Sequence, residues 1–428
     1  MLTQEELEEK SKMFRIWIYL DLYTFLQSIF LKIEKNKFIN YIFKEIAKQS
    51  NKKHVVLASQ CRVGLLFILK YLKSKSKKKE IILCAYNLPE MVNVAVKLNY
   101  NIKFCDLNYK TGVMDIRELK KKISKNTAAI VLTNMFNNSK NSTEIKNLAS
   151  KYKITLIEDN AIYFDNFTKK NNSKIFSGSF GDFSIYSFNI MKNISSFYGG
   201  AISTNDKEFK KFYEKEYNKL NSFPKIPLLK QILIFLVLKI MSSKFLFKIF
   251  FLHVIRFAHL NNLNIILKLL YPSLKSLRKN LPNYYYSKMS DLSVFATYLQ
   301  LKNVYKRKKL FKERQIKHTS YFRKITKLNK NLLTIKITDK NFQNYLDFPI
   351  LIKNKKNLNK FLLNHGIEVR YKHYYNCEKL FRKTKKCINA ERYENELICL
   401  PLHSKISQSY MDRLINKINQ YHSKLQVN

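Results

Sequence analysis

Glycine is scarce in this chain, which has 7 glycines and 7 prolines among its 428 residues. Four of the glycines, Gly178, Gly181, Gly199 and Gly200, fall within residues 175–206. Glycine is needed where the backbone adopts a positive φ or approaches another group closely. Because a glycine-poor chain concentrates this residue around one lysine, the sequence predicts a tightly built backbone site in this stretch.

Motifs of paired cysteines are also missing. The 6 cysteines form no CxxC motif and no Cys/His ligand spacing, so no metal site is expected. Cys84, Cys105 and Cys399 lie in apolar strand-like runs, which favours free thiols in a reducing compartment.

The chain opens with MLTQEELEEK, which is acidic where a signal peptide is basic, so a cytoplasmic protein is expected.

Acidic residues are few: the chain has 31 Asp and Glu and 79 Lys and Arg, which gives a formal net charge of +48. Such a charge is typical of proteins that bind nucleic acid or anionic membranes. However, the lysines are spread along the whole chain beside abundant Asn, Ile, Phe and Tyr, a bias that A+T-rich codons produce without any binding function. Since no nucleic-acid-binding motif accompanies the charge, no nucleic-acid partner is expected.

The length is sufficient for two domains with sizeable cores, and 46% of the residues are hydrophobic, as in a folded protein. We expect an N-terminal helical segment over residues 1–50 and a large α/β domain over 51–222. An apolar and basic helical insertion follows over 223–282, and a small C-terminal domain completes the chain over 283–428.

Residues 54–160 alternate between apolar strand-like runs and helical segments, which is typical of a doubly wound α/β sheet. In such sheets, ligands bind beyond the carboxyl ends of the strands. Ser59, Tyr86, Asn134 and Asp159 all follow or end predicted strands. We therefore expect these four side chains to face one cleft.

Three polar residues carry the expected chemistry. Asp159 ends a predicted strand, and the Ser187 hydroxyl and the Lys192 amine follow on the glycine-bounded segment. A phosphorylated heteroaromatic cofactor needs such a set, because an amine bonds to it, a hydroxyl binds its phosphate and a carboxylate pairs with its ring nitrogen. Each residue alone has an ordinary structural explanation, but their combination at this spacing favours a cofactor site.

At these residues the chain resembles the DegT/DnrJ family of pyridoxal-phosphate (PLP) sugar aminotransferases, in the segments LIEDNAI, GSFGDFSIYSF and MKNISSFYGGAISTND. SQCRVGLLFIL and FLLNHGIEVRYKHYY resemble further family segments, so the similarity covers most of the chain. The resemblance implies a fold-type I α/β architecture, with a mixed, mostly parallel seven-stranded sheet in a large domain and a smaller C-terminal α+β domain. It also implies a PLP cofactor and a homodimer, because fold-type I sites lie at a dimer interface.

The resemblance further implies a role for each site residue. Lys192 carries the cofactor and moves the proton, Asp159 keeps the pyridine nitrogen protonated, and Ser187 binds the phosphate. Ser59 and Cys61 belong to the segment where a helix N-terminus cradles the phosphate in the family.

Several residues depart from the family pattern. Arg62 follows the replaced phosphate-binding Gly-Thr and is interpreted either as a phosphate clamp or as a solvent-facing cation. Leu88 stands near the family's stacking aromatic, for which Tyr86 is the candidate replacement. Ile162 replaces a Gln or His near the cofactor hydroxyl, and Tyr286 replaces an Asn contributed by the neighbouring subunit.

From the resemblance we expect a PLP-dependent aminotransferase that moves an amino group, with glutamate as donor, to a keto-sugar on a nucleotide or lipid carrier. The expected setting is the biosynthesis of cell-surface polysaccharides or glycans. Arg370, His373 and Tyr374 are candidates for closing the substrate side. Two other interpretations stay open: a non-catalytic PLP-binding regulator and a membrane-surface protein with the same fold.

The insertion is very apolar, but basic residues such as Lys230, Lys244 and Arg256 interrupt it. No uninterrupted run reaches the roughly 18–20 residues that a membrane-spanning helix needs. Peripheral contact of residues 228–256 with the inner membrane face fits this composition. Burial against the protein's own core or against a dimer partner fits equally well.

Overall fold

A computed structural model describes most of the chain. The described residues are 14–30, 35–136, 139–164, 166–170, 173–263, 265–267, 280–303, 346–382, 386–403 and 405–427, with short pieces at 313, 320 and 333–335.

Helices occur in all parts of the chain. Those before the insertion are α1 (Leu22–Phe30), α2 (Lys35–Ser50), α3 (Cys61–Lys75), α4 (Pro89–Lys97), α5 (Ile116–Lys122), α6 (Ser139–Lys151) and α7 (Lys207–Asn218). The later ones are α8 (Lys225–Met241), α9 (Lys244–Leu246), α10 (Leu252–Leu260), α11 (Asp291–Lys302), α12 (Lys355–Asn364), α13 (Cys377–Arg382), α14 (Ile388–Glu396) and α15 (Gln408–Val427). A π-helical turn at Phe247–Phe251 joins α9 to α10, and a 3-10 turn covers Asn283–Tyr286.

The strands are β1 (His54–Ala58), β2 (Glu80–Cys84), β3 (Tyr86–Asn87), β4 (Asn101–Cys105), β5 (Thr127–Thr133), β6 (Thr155–Asn160), β7 (Phe167–Lys170), β8 (Ser173–Phe176), β9 (Phe183–Ser187), β10 (Gly200–Thr204), β11 (Leu333–Thr334), β12 (Asp347–Leu351), β13 (Tyr375–Asn376) and β14 (Leu397–Pro401). Seven of them form one sheet in the order β1-β10-β9-β6-β5-β2-β4. β10 is antiparallel to both of its neighbours, and the other pairs are parallel. A second, antiparallel sheet in the order β11-β12-β14 lies in the C-terminal part. The predicted α/β architecture with a mixed, mostly parallel sheet is confirmed.

The parallel pairing brings the polar strand ends together. β5 reads TAAIVLT and is buried over its first six residues, as expected for a parallel strand covered on both faces. Since β5, β6 and β9 run in the same direction, their carboxyl ends meet at one edge of the sheet. Thr133, Asp159 and Ser187 lie at this edge and line the same cavity.

A buried carboxylate fixes the glycine turn that precedes β9. Glu158 Oε1 accepts a hydrogen bond from Gly178 N at 2.8 Å, and Oε2 accepts from Phe180 N at 3.1 Å and Gly181 N at 3.2 Å. Gly178 has a φ of 96°, and a Cβ there would collide with the hydroxyl of Tyr186. The turn therefore requires glycine, which explains part of the clustering in the sequence.

Residues 14–20 are not helical, which corrects the expectation of a helical segment over residues 1–50, of which 1–13 and 31–34 lie outside the described residues. Every second residue from Phe14 to Leu20 is buried in a core cluster, and Arg15, Trp17 and Tyr19 line the cavity together with Ile16 of that cluster. Side chains that alternate between two sides are typical of an extended chain, not of a helix. The segment FRIWIYL carries this alternation in its sequence.

The insertion packs one side against residues 14–20. Phe235, Leu238, Phe247 and Ile255 share a core cluster with residues 14–20. Burial against the protein's own core is therefore confirmed for one side of these helices. Within the described ranges, no helix is both long enough and apolar enough to cross a membrane.

Candidate active site

A cavity of about 350 Å³ opens at the carboxyl edge of the seven-stranded sheet. Its walls combine strand ends, the start of α3, the loop between β9 and β10, residues 14–20, α8 and part of the C-terminal region. Small-molecule sites usually have volumes of about 300–1,000 Å³ and occur at such sheet edges. The cavity is therefore the candidate active site.

Lys192 and Asp159 bring an amine and a carboxylate to this cavity. Burial lowers the pKa of Lys192 to about 8, although the negative charge of Asp159 opposes the shift. Burial raises the pKa of Asp159, whereas a 3.0 Å hydrogen bond from Ala161 N and the charge of Lys192 oppose that change. The site thus holds an amine that loses its proton near pH 8 beside a buried carboxylate.

The start of α3 faces the same cavity. Gln60 is buried, and its side-chain amide has no hydrogen-bond partner within the described part of the chain. Cys61 Sγ lies 3.7 Å from Asp159 Oδ1, and burial raises the pKa of its thiol well above the usual value, so the thiol stays protonated and donates. A helix N-terminus attracts anions, and the Gln60 amide offers additional donors to one bound here.

Gly200 lets β10 lie directly against this helix start. A Cβ at this position would be 2.6 Å from Tyr186 O, 2.7 Å from Cys61 N and 2.8 Å from Gln60 C. All three are backbone atoms, so no side chain can rotate away to make room. The close approach therefore depends on glycine.

We expect Gly200→Ala to lower the free energy of unfolding by about 3 kcal/mol, the upper part of the usual range for overpacking. Urea denaturation measures this change. Gly64→Ala is the matched control, because a Cβ there meets side-chain atoms of Ile202 at 3.0 Å and Ile185 at 3.3 Å, and alanine is favoured inside a helix. Equal stability of the two variants would contradict the close approach at Gly200.

Ser187 and Arg62 both line the cavity. Ser187 ends β9 and pairs with Gly200 of β10. Arg62 Nη1 lies 3.7 Å from Glu90 Oε1, and its guanidinium lies 5.6 Å from the ring centroid of Tyr285. Arg62 is therefore held in the cavity wall by a buried carboxylate and an aromatic ring.

Ser59 and Tyr86 are absent from the residues that line the cavity. Ser59 is buried, and its Oγ donates a hydrogen bond to the carbonyl of Tyr284 at 3.4 Å. The Tyr86 hydroxyl accepts from Tyr374 N at 3.2 Å and lies 3.4 Å from His373 Nδ1. Their direct contact with a cofactor stays a prediction, and Tyr86 contacts two residues that do line the cavity.

The C-terminal region supplies the opposite wall. Arg370 Nη1 lies 2.8 Å from Asp347 Oδ2, and both residues line the cavity. Burial, with the positive charges of Arg370 and Lys192, lowers the pKa of His373 well below its usual value. His373 is therefore a neutral imidazole that can donate or accept a hydrogen bond. Ile162 and Leu88 line the cavity as apolar side chains.

The sequence interpretation missed part of the wall. Arg15 Nε donates to Glu368 Oε1 at 2.6 Å in a buried ion pair, and Arg15 and Trp17 both line the cavity. Gln231 Nε2 of α8 donates to Asn189 Oδ1 at 2.8 Å, which ties the insertion to the loop that carries Lys192. The alternation of residues 14–20 was the sequence signal for the first group, whereas nothing in the sequence marks Gln231.

The sequence model of the DegT/DnrJ/EryC1/StrS aminotransferase family matches residues 32–218 and 276–419, which is more than half of the chain. These ranges include Lys192, Asp159 and the start of α3. Residues 14–20 and α8 lie outside both ranges although they line the cavity.

Two curated relatives illustrate the sequence similarity. The chain is 32% identical over 135 residues to the UDP-4-amino-4,6-dideoxy-N-acetyl-beta-L-altrosamine transaminase of Campylobacter jejuni, covering 31% of this chain and 35% of that protein. It is 26% identical over 171 residues to the GDP-perosamine synthase of Vibrio cholerae, covering 40% and 45%. The matched part of the chain thus spans less than half the length of these relatives.

Solved structures match over nearly the whole chain. Helicobacter pylori PseC, an aminotransferase involved in the biosynthesis of pseudoaminic acid, superposes with a TM-score of 0.69 at 17% identity, covering 96% of this chain and 100% of that one. The Escherichia coli GDP-4-keto-6-deoxy-D-mannose-3-dehydratase with bound hydrated PLP gives 0.65 at 21% identity, covering 94% and 97%. The likeness confirms the fold-type I architecture.

Proposed function

This chain belongs to the DegT/DnrJ/EryC1/StrS aminotransferase family, and from that premise we propose that it is a PLP-dependent aminotransferase acting on a keto-sugar. The observation that carries the proposal is the meeting of the Lys192 amine, the Asp159 carboxylate and the start of α3 in one cavity. The relatives named above act on nucleotide-linked sugars by their names, which supports this substrate class.

The residues around the cavity fit a phosphorylated cofactor. The buried amide of Gln60 has no partner within the described residues, and it stands at the N-terminus of α3, where a phosphate is favoured. Ser187 offers a hydroxyl in the same cavity, and Arg62 offers a cation. In this proposal the phosphate binds to the start of α3 with Ser187, Cys61 and Arg62, and Ser59 supports the same end. Tyr86 is assigned to the cofactor ring, as the candidate replacement for the family's stacking aromatic.

PLP, when bound, supplies an electron sink that stabilises negative charge on the substrate carbon. We assign Lys192 to hold the cofactor and then to move the proton at its Nζ. A pKa of about 8 makes the neutral amine accessible near neutral pH, as both a nucleophile and a general base require. Asp159 is assigned to the ring nitrogen, where a buried carboxylate keeps a facing proton in place.

The opposite wall is assigned to the substrates. Arg370 offers a cation to an amino donor with a carboxylate, such as glutamate, while its bond to Asp347 orients it. Neutral His373 suits hydrogen bonding to a sugar hydroxyl. The keto-sugar is carried by a nucleotide or a lipid, in cell-surface polysaccharide or glycan biosynthesis.

The proposal also covers assembly, domains and location. We propose a homodimer, since Tyr286 stands where the family has an Asn that is contributed to the neighbouring subunit, and it is 37% exposed. The domain division at residues 51–222, 223–282 and 283–428 is kept as part of this proposal.

We further propose that the enzyme is cytoplasmic, with residues 228–256 in peripheral contact with the inner membrane face.

The absorption spectrum of the purified protein tests this function. We expect PLP to produce a visible band, glutamate to bleach it and GDP-4-keto-6-deoxy-D-mannose, or a related nucleotide-linked keto-sugar, to restore it. A band that no amino donor changes would instead indicate a PLP-binding regulator. A protein that develops no band would contradict the cofactor assignment. Product analysis separates amino transfer from sugar dehydration, the activity named for one structural neighbour.

A further inference from the structure

Helix α8 exposes an apolar stripe to solvent. Ile226, Leu229, Leu233, Val237 and Ile240 follow one another at intervals of three and four residues and are between 41% and 81% exposed. This spacing places them on one face of the helix. At about 1.5 Å per residue, the stripe is roughly 21 Å long.

The other face of α8 is apolar too. Phe235, Leu238 and Met241 are buried in the core cluster shared with residues 14–20. A helix that is apolar on all sides is typical of one covered all round, by protein or by lipid. The described residues cover one face of α8 and leave the stripe open, so the stripe calls for a further apolar environment.

The exposed apolar area extends beyond α8. From α9 to α10, Phe245, Phe250 and Phe257 are 69%, 57% and 60% exposed. Helix α1 packs against α8 through the rings of Phe25 and Phe235, 5.3 Å apart. It exposes four further large side chains, Leu22, Tyr23, Leu26 and Ile29. We call the exposed side chains of α1, α8, α9, the π-helical turn and α10 the apolar surface.

The charges that the insertion brings to this surface are all positive, whereas Asp21 beside α1 is an exposed carboxylate at the edge of the surface. No Asp or Glu occurs between Glu216 and Asp291 in the sequence. Lys225, Lys230 and Lys244 are exposed beside the apolar stripes. Lysines on such helices extend their ammonium groups to anionic headgroups while the apolar side chains enter the acyl boundary.

A second copy of the chain fits this surface poorly. A symmetric interface would bring the same lysines of two copies together, with no carboxylate from 217–290 to pair with them. A bilayer with anionic lipids supplies both the apolar contact and the missing negative charge. Charge complementarity therefore favours a lipid partner.

We propose that the apolar surface docks the protein in the plane of an anionic bilayer, with α8 between the lipid and the cavity. Gln231 and Ile234 of α8 line the cavity, while Leu233 and Val237 belong to the exposed stripe. A helix is about 10–12 Å across with its side chains, so the cavity lies about one helix diameter from the headgroups. This inference does not depend on the aminotransferase chemistry.

Vesicle flotation of the full-length protein tests the docking. The probes are phosphatidylcholine vesicles with and without 30 mol% phosphatidylglycerol, a composition of roughly physiological negative charge. We expect the protein to float with the anionic vesicles and to remain below with the neutral ones. Absence from both vesicle fractions would overturn the proposal.

Two double variants locate the contact. Lys230→Glu with Lys244→Glu should reduce vesicle affinity at least about tenfold, because each basic residue near an anionic surface contributes measurably. Leu233→Ser with Phe250→Ser should reduce it similarly through lost apolar burial. Both pairs are exposed, so the fold is expected to be retained.

Matched controls complete the experiment. Lys110→Glu with Lys120→Glu reverses two exposed charges elsewhere, and Ile388→Ser removes a 64% exposed apolar side chain. These variants should float like the wild type. If the two double variants of the apolar surface keep the vesicle affinity of the wild type, the surface is not a lipid contact. The same conclusion follows if they leave flotation unchanged and alter the molecular mass measured by light scattering. The glutamate-dependent spectral change is recorded in each variant, which separates failure of docking from failure of the proposed function.

Discussion

Replacing Lys192 with alanine is expected to abolish the visible absorption band with PLP and to lower amino transfer by about 10⁴-fold or more. The lysine holds two roles in the proposal, as the nucleophile and as the group that moves the proton. Alanine has neither an amine nor a proton to give. The spectrum with PLP and the turnover with glutamate measure both losses.

Two further variants make the Lys192 result specific. Lys192→Arg keeps a positive charge, but its guanidinium does not lose its proton, so it should fail like alanine. Lys207→Ala removes an exposed lysine at the start of α7 and should behave as the wild type. Thermal unfolding should show that all three proteins are folded. A visible band that persists in Lys192→Ala would mean that a different lysine bonds to the cofactor.

Local sequence patterns predict the sheet and the centre of the site because both depend on short stretches of chain. The apolar runs of β5 and β6 are read directly as buried strands, and Asp159 follows from its position at a strand end. The glycine cluster marks the turn that Glu158 holds through three backbone N–H groups. The resemblance to the family segments then predicts that Asp159 and the glycine-bounded segment with Lys192 belong to one site.

Contacts between distant segments were not predictable in this way. Arg15 meets Glu368 and Gln231 meets Asn189 across large sequence separations, and each residue alone reads as an ordinary surface side chain. Gln60 becomes a candidate site residue only in the structure, where its buried side-chain amide has no hydrogen-bond partner within the described residues. Residues 14–20 show a two-residue alternation, but the helical stretches around them favour the wrong interpretation.

The apolar surface illustrates the same limit. Composition shows that α8 is apolar and basic, and it leaves membrane contact, core burial and a dimer partner open. The structure shows core burial for one face of α8, since Phe235 is buried, and leaves the other face exposed, since Leu233 is 62% exposed. Which face is covered depends on the tertiary packing of residues 14–20 and α1, which no local pattern records.

Asp159→Asn is expected to keep the visible band with PLP but to lower turnover by about 10²–10³-fold, as for loss of one charged stabilising group. The amide keeps the shape of the carboxylate and loses the negative charge that holds a proton on the ring nitrogen. The variant therefore separates cofactor capture, which rests on Lys192, from the chemistry that follows. Turnover and the spectrum, measured on the same sample, give the two quantities.

The same variant has a pH signature with a defined sign. The negative charge of Asp159 raises the pKa of Lys192 against the stronger effect of burial, which brings it to about 8. Without that charge the pKa falls further, so the rate of PLP capture by the cofactor-free protein should rise with pH at a lower pH than in the wild type. Asp115→Asn, the same change at the N-cap of α5, should leave the profile at its original pH because asparagine also caps helices well. A profile that stays at the wild-type pH in Asp159→Asn would mean that the charge of Asp159 does not act on the Lys192 amine.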